Sequence, residues 1–139
     1  MNLLQILPFI ALASASWITF SGVLYISMID GHTAHQNVGL SNGTLLLQNT
    51  TSHFEYYYFG GTLESRGNLS YLVVGPQGKL CLGHLPDRHF SLDMWPINSD
   101  HRGVYYYNDR DFELCGDNSV RFQSQCDGAR RIQLQFEDI

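Results

Sequence analysis

Residues 103–136 read GVYYYNDRDFELCGDNSVRFQSQCDGARRIQLQF, and this stretch decides the fold class. Apolar and polar side chains alternate in three runs within it, at 104–107, 112–115 and 132–136. A period of two residues is typical of a strand with one buried face. The segments between the runs contain Asn-Asp, Gly-Asp-Asn and Asp-Gly, which are good turn formers. The stretch therefore predicts the end of a small β domain.

The chain has three cysteines, Cys81, Cys115 and Cys126. In an oxidising compartment two of them should form a disulfide and one should be left over. We expect the pair to be Cys115 and Cys126, because the segment between them is short and rich in turn formers. Cys81 would then be buried, or free to bridge another molecule through an intermolecular disulfide.

The rest of the chain carries further short strand patterns at regular spacing. We expect strands near 17–29, 44–47, 54–59, 69–74, 79–82 and 90–95, whereas 32–41 is mixed and polar. Such spacing predicts one all-β domain over 16–139, either a small antiparallel sandwich or a barrel, braced by the disulfide. A faint repeat, Gly43-x-Leu45, Gly78-x-Leu80 and Gly103-x-Tyr105, also fits a trefoil-like barrel in which each copy opens a strand after a turn.

The first 29 residues contain no charged side chain. We interpret residues 1–15 as a signal peptide, because an apolar run ends there in small-x-small motifs of the kind that signal peptidase cleaves. Cleavage after Ala15 would start the mature protein at Ser16 and leave no membrane segment. The alternative is an uncleaved anchor, since the uncharged run continues to Ile29.

Three N-glycosylation motifs support secretion. They begin at Asn42, Asn49 and Asn68, and we expect at least one of these side chains to carry a glycan. Charged residues make up only 15% of the chain, which is low for a cytosolic protein. The formal net charge of −5 argues against nucleic acid or an anionic membrane as a partner, because both need a basic patch.

No catalytic motif stands out, and we expect the protein not to be an enzyme and to need no cofactor or metal. The spacings His32-x-x-His35 and His84-x4-His89 lack a clear third metal ligand. Alternation places Asp111 and Glu113 on one face, as a glycosidase would need, but a solvated sheet face explains them equally well. The pattern Asp109-Arg-Asp111 occurs once, which is too little for a calcium loop. Asp117 extends this acidic region.

Two runs of three tyrosines, 56–58 and 105–107, are the more informative candidates. Alternation places some of these rings on the outer face of a sheet, where tyrosines stack on sugar rings and their hydroxyls bond sugar hydroxyls. We select Tyr57 and Tyr106 as glycan-binding candidates, with Trp95 beside Pro96 as a third platform. The alternative is that half of the rings form the core and the rest an ordinary outer face.

The order of features resembles the C-terminal module of fungal cell-wall mannoproteins of the PIR type. The resemblance rests on YISMI at 25–29, Gly-x-Leu at 43–45 and 78–80, and FSL at 90–92. It is most specific from FELC at 112–115 through SQC at 124–126 to IQL at 132–134. It implies a secreted, mannosylated structural protein of a fungal wall, with no catalytic residues.

The chain departs from that family in three respects. It has no Gln-containing repeats, no fourth cysteine and no hydrophobic C-terminal tail, so we expect no GPI anchor. Attachment to a wall would then be non-covalent or through Cys81. We therefore expect a secreted structural glycoprotein of a fungal wall or surface, whose partner is wall polysaccharide or another wall glycoprotein. The alternative is a secreted lectin-like or effector module that uses exposed tyrosines.

Overall fold

The structure is a computed structural model, and it describes residues 19–67 and 69–139. The predicted signal peptide at 1–15, residues 16–18 and the glycosylation candidate Asn68 lie outside the described residues. Within them the secondary structure is almost entirely β, with one short 3-10 turn at Pro76–Gly78. The predicted all-β fold class is confirmed.

The described residues form twelve strands. In chain order they are β1 Thr19–Ile29, β2 His32–Ser41, β3 Thr44–Leu47, β4 His53–Tyr57, β5 Thr62–Ser65, β6 Ser70–Val74, β7 Leu80–Gly83, β8 Phe90–Leu92, β9 His101–Tyr106, β10 Phe112–Leu114, β11 Val120–Arg121 and β12 Arg130–Asp138.

Seven of the strands close into an antiparallel barrel, in the order β1, β2, β3, β7, β6, β5, β4 and back to β1. The long strand β1 makes the closure. Its first residues, Thr19–Val23, pair with β4, while Tyr25–Ile29 include the pairs with β2. Of the predicted alternatives, the fold is thus a barrel. A ring of seven strands does not divide into three equal units, and Gly103 lies inside β9, so the faint repeat does not describe the architecture.

The remaining strands extend the sheet from β12, which pairs with β1 from Gly22 to Ile29. The other edge of β12 is shared by β9 and β10. The sequence alternation predicts this strand well, because Ile132, Leu134 and Phe136 are all buried. They pack in one core with aromatic and aliphatic side chains from the other strands.

The Cys115–Cys126 disulfide is present as predicted, with 5.8 Å between the two Cα atoms. The loop that it closes is held by a second contact. Glu113 accepts hydrogen bonds from the Ser124 backbone nitrogen at 2.7 Å and the Ser124 hydroxyl at 2.6 Å. The carboxylate therefore fixes the segment that leads to Cys126.

Residues 32–41, expected to be a mixed polar segment, form strand β2. The expectation was wrong because most side chains at the start of this strand are exposed, so its sequence lacks the apolar alternation of a half-buried strand. The strand is instead fixed by backbone pairing on both edges, with β1 and with β3. Backbone hydrogen bonds do not depend on side-chain polarity, which is why the pattern did not reveal it.

The uncharged run that could have continued as an anchor to Ile29 enters the β domain at Thr19, where β1 begins. In the residues that the structure describes, no helix is long and apolar enough to span a bilayer.

Candidate functional site

Tyr57, selected from the sequence, lies in an open groove of about 340 Å³ on the outside of the barrel. The groove is lined by Tyr57, Gly60, Thr62, Glu64, Tyr71, Pro86 and Arg88. Its size is at the lower end of the range for small-molecule sites, which is about 300–1,000 Å³. We call it the Tyr57 groove.

The floor of the Tyr57 groove comes from three neighbouring strands. Glu55 of β4 lies directly opposite Glu64 of β5, and Glu64 lies directly opposite Tyr71 of β6. The Tyr57 hydroxyl donates a hydrogen bond to Glu55 Oε2 at 3.0 Å. Burial, followed by the hydrogen bond and charge of Glu55, raises the pKa of Tyr57 to about 12, so the phenol stays neutral at physiological pH.

The wall of the groove is the loop 84–89, which docks on the turn after β4 and on the turn after β9. The Phe90 backbone nitrogen donates to Gly61 O at 3.1 Å, and the Tyr107 nitrogen donates to His89 O at 3.0 Å. A Cβ atom added at Gly60 would lie 3.4 Å from Arg88 Nη1, so the guanidinium of Arg88 packs directly over Gly60. The loop therefore joins the Tyr57 groove to the turn after β9.

On the other side of the loop, His89 stacks on Tyr107 with 4.0 Å between ring centroids and 14° between planes. Asp87 orients His89, because it accepts hydrogen bonds from His89 Nδ1 at 2.9 Å and from the Tyr106 hydroxyl at 2.8 Å. His89 and Tyr107 are both exposed. They form a second flat surface beside the Tyr57 groove.

The prediction that Tyr106 contributes an exposed ring is wrong. Its side chain is only 8% exposed and belongs to the core, in contact with Phe90 and Phe122. Burial and the hydrogen bond to Asp87 raise its pKa well above the usual range. In the second tyrosine run the exposed ring is Tyr107, which is 61% exposed.

Large apolar side chains are exposed around the same end of the barrel. They are Tyr58, Phe59, Leu85 and Tyr107, which lie in the turn after β4, the loop 84–89 and the turn after β9. Together with His89 and the Tyr57 groove we call them the barrel-end surface. Rings and apolar edges beside polar groups are the composition typical of a ligand-binding surface.

Trp95 is 79% exposed, as the sequence predicts, but the structure does not bring it to the barrel-end surface. The hairpin β8–β9 pairs Phe90 with Tyr106, and Trp95 lies in the loop at the opposite end of that hairpin. Arg102, which is 1% exposed, anchors this loop by donating to the carbonyl oxygens of Asp93 and Ile97 at 3.1 and 2.8 Å. Trp95 is thus a separate aromatic patch on a well-anchored loop.

The carboxylates considered for catalysis have structural partners. Asp109 accepts a hydrogen bond from the Asp111 nitrogen at 2.9 Å, and Glu113 is the partner of Ser124. Asp109, Asp111 and Glu113 do line one open groove of about 320 Å³. Over residues 19–67 and 69–139, no group of three or more His, Cys, Asp and Glu side chains is arranged to hold a metal ion.

The histidine spacings do not form paired sites. His35 packs against Tyr25 with 4.3 Å between ring centroids and 32° between planes, while His32 contacts the Asp30 carbonyl oxygen at 3.2 Å. His89 contacts Asp87, and His84 lies in the exposed part of the same loop.

The modification candidates are placed as follows. Asn42 lies in the tight turn between β2 and β3, and both Asn42 and Asn49 are exposed, so a glycan would have room at each. Cys81 of β7 is a free thiol with intermediate exposure, and its Sγ lies over Gly75. Glycan occupancy and an intermolecular bond through Cys81 stay predictions.

No protein-family model, curated protein or solved structure matches the chain. Interpretation of the barrel-end surface therefore depends on the geometry of its own residues.

Sequence reasoning missed most of that surface. Alternation around the buried Leu72 could have placed Tyr71 on the outer face of β6. For Arg88 and His89 no such signal existed, because they reach the site through a loop that is distant in the sequence from Tyr57.

Proposed function

We propose that this is a secreted, non-catalytic protein of a fungal cell surface that binds wall polysaccharide through the Tyr57 groove. The observation that carries the proposal is the groove itself. It places two tyrosine rings beside a carboxylate and a guanidinium in one open site. An open groove of this kind accommodates an internal segment of a polymer, whereas a closed pocket would favour a small molecule or a chain end.

The chemistry of the groove suits sugars. Aromatic faces pack on the apolar faces of pyranose rings, and carboxylates and guanidinium groups hydrogen-bond the hydroxyls at the ring edges. The Tyr57 hydroxyl and Glu55 already form such a polar edge at 3.0 Å. The stacked pair of His89 and Tyr107 would extend the contact along a longer chain.

Location at a wall is supported by separate observations. These are the signal-like start, the exposed sequons at Asn42 and Asn49, the disulfide, and the resemblance to PIR-type wall proteins. Because the chain lacks the Gln-containing repeats of that family, the groove would supply the non-covalent attachment that the resemblance leaves open.

The first test is co-sedimentation of the secreted protein with insoluble wall polysaccharides. We expect Tyr57→Ala to weaken binding about tenfold, as loss of a central aromatic contact does. Tyr57→Phe should bind nearly as well as the native protein, because the ring remains. The matched control is Tyr105→Ala, since Tyr105 is also half-buried and hydrogen-bonded to a carboxylate, but lies on β9 outside the groove. Unchanged binding by Tyr57→Ala would overturn the proposed site.

Fractionation of a producing culture tests the location. We expect the protein in the wall fraction, released by soluble competing glycan. Release only by a reductant, and loss of wall retention in Cys81→Ser, would instead assign attachment to Cys81 and a disulfide-linked partner. Protein found wholly in the medium, with none in walls, would contradict the proposal.

A further inference from the structure

An unusual charge arrangement borders the Tyr57 groove, where Glu64 belongs to the lining and Glu55 accepts the hydrogen bond from the Tyr57 hydroxyl. Glu55 and Glu64 are directly opposite each other on neighbouring antiparallel strands. Side chains in that relation have Cβ atoms about 4.5–5.5 Å apart, and two like charges there destabilise the sheet. Both glutamates are partly exposed rather than fully solvated.

The protein itself does not neutralise this pair. In residues 19–67 and 69–139, no ion pair within 4.0 Å includes Glu55 or Glu64. Arg88 lines the same groove, yet it packs over Gly60 and forms no salt bridge with Glu64. The Tyr57 hydroxyl bonds Glu55 and also interacts with Glu64, but a phenol has only one proton to donate. One carboxylate therefore keeps free acceptor oxygens toward the groove.

The aromatic rings of the groove would also attract a positively charged ligand. Tyr57 and Tyr71 line the groove together with Glu64, and Glu55 is bonded to the Tyr57 hydroxyl. A tyrosine face attracts a cation within about 6 Å. An ammonium group would thus be attracted by the carboxylates and by the ring faces together, whereas a neutral sugar would gain stacking and hydrogen bonds but no attraction between opposite charges.

We propose that the Tyr57 groove selects saccharides that carry protonated amines, such as a deacetylated amino-sugar polymer, over neutral polysaccharides. The ammonium lies between Glu55 and Glu64, the sugar ring packs on Tyr57 and Tyr71, and Arg88 hydrogen-bonds ring hydroxyls. This inference depends on the proposed polysaccharide-binding function and names its ligand class.

The experiment compares two N-acetylglucosamine oligomers of equal length, one fully acetylated and one fully deacetylated, at about pH 5.5, above the usual carboxyl range. Isothermal titration of the native protein should give affinity for the deacetylated oligomer at least about tenfold higher. The preference should weaken as salt is added, because salt screens the attraction between the ammonium groups and the carboxylates but does not weaken ring stacking.

The double variant Glu55→Gln with Glu64→Gln should bind both oligomers equally. Glutamine keeps an acceptor for Tyr57, and removal of the opposed charges should leave the melting temperature unchanged or raised, so a folding defect is not expected. Glu137→Gln is the matched control, since it removes the same charge on β12, outside the groove, and should keep the preference.

The outcomes separate the two proposals. Equal or tighter binding of the acetylated oligomer by the native protein overturns the amine preference and leaves polysaccharide binding intact. No binding of either oligomer or of wall polysaccharide overturns the proposed function itself. Oligolysine that binds as tightly as the deacetylated oligomer would show a general cation surface, and would also overturn the preference for an amino sugar.

Discussion

At the scale of single residues, short loops depend on carboxylates that accept several hydrogen bonds. Asp117 is the clearest case, because it accepts hydrogen bonds from both the hydroxyl and the backbone nitrogen of Ser119 and forms an ion pair with Arg121 at 3.1 Å. The hydrogen bonds from Ser119, followed by Arg121, lower the pKa of Asp117 from its ordinary 3.8 to about 2. Asp117 belongs to the sharp turn that joins β10 to β11.

This shift predicts a stability difference with a definite sign. The pKa of Asp117 is lower in the folded protein than in the unfolded chain, so the ionised carboxylate stabilises the fold. This contribution to the free energy of unfolding is complete at pH values above the pKa of the unfolded chain. It is lost as the pH falls toward about 2, the pKa in the fold. Asp117→Asn should therefore melt below the native protein at about pH 5, and this gap should close by about pH 2. Thermal melts of both proteins at a series of pH values measure it. A gap that is constant with pH would contradict the assignment, since all other carboxylates are common to both proteins.

The tyrosine run at 105–107 shows how far sequence reasoning reaches at this scale. Alternation correctly separates Tyr105 from Tyr106 within β9, but identical residues do not say which face is inside, and Tyr107 already lies in the turn that follows the strand. A one-residue change of register moves every side chain to the other face. The buried Val104 two positions earlier is what fixes Tyr106 in the core.

At the scale of elements, β1 and β12 form the longest pairing in the fold, and Gly22 lies at one end of it, opposite Asp138. A Cβ atom there would collide with the Glu137 carbonyl oxygen and the Phe136 ring. Where a methyl group fits, replacing glycine by alanine stabilises a protein by about 0.4–1 kcal/mol, because alanine lowers the conformational entropy of the unfolded chain. Here the collision dominates, because Phe136 is fully buried and the oxygen belongs to the backbone.

We therefore expect Gly22→Ala to lower the free energy of unfolding by about 1–3 kcal/mol, as overpacking does. Urea denaturation followed by tyrosine fluorescence measures the change. Thr33→Ala, at an exposed position of β2, is the control and should stay within about 0.5 kcal/mol of the native value. A stabilised Gly22→Ala variant would show that the two strands separate easily at this point.

Alternation predicts strands whose faces differ in polarity, which is why β12 could be recognised before the structure and β2 could not. The local pattern does not reveal which strands pair. Nothing in the sequence of His53–Tyr57 indicates that β4 returns to the first residues of β1 and closes the barrel. The groove beside Tyr57 likewise depends on a contact that is distant in the sequence, because the turn after β4 meets the segment that follows the loop 84–89.

At the scale of the whole molecule, the barrel is closed by strand pairing, while the segment from β10 to β12 lies outside the ring, is attached to it by the pairing of β12 with β1, and is cross-linked by the Cys115–Cys126 bond. The bond joins residues 11 positions apart. A cross-link over a loop of that length restricts the unfolded chain and contributes about 3 kcal/mol in the chain-entropy description. We expect Cys115→Ser with Cys126→Ser to lose about that amount, measured by urea denaturation without reductant.

The free thiol of Cys81 needs its own control, since it could exchange with the disulfide during unfolding. The comparison is best made in a Cys81→Ser background, which should have nearly native stability because this side chain is only partly buried. The barrel ring itself contains neither bridge cysteine, so the bridge variant should keep the Tyr57 groove and its polysaccharide binding at a temperature well below its melting point. Loss of binding together with the disulfide would mean that β10 to β12 support the groove, and that the ring alone does not hold its shape.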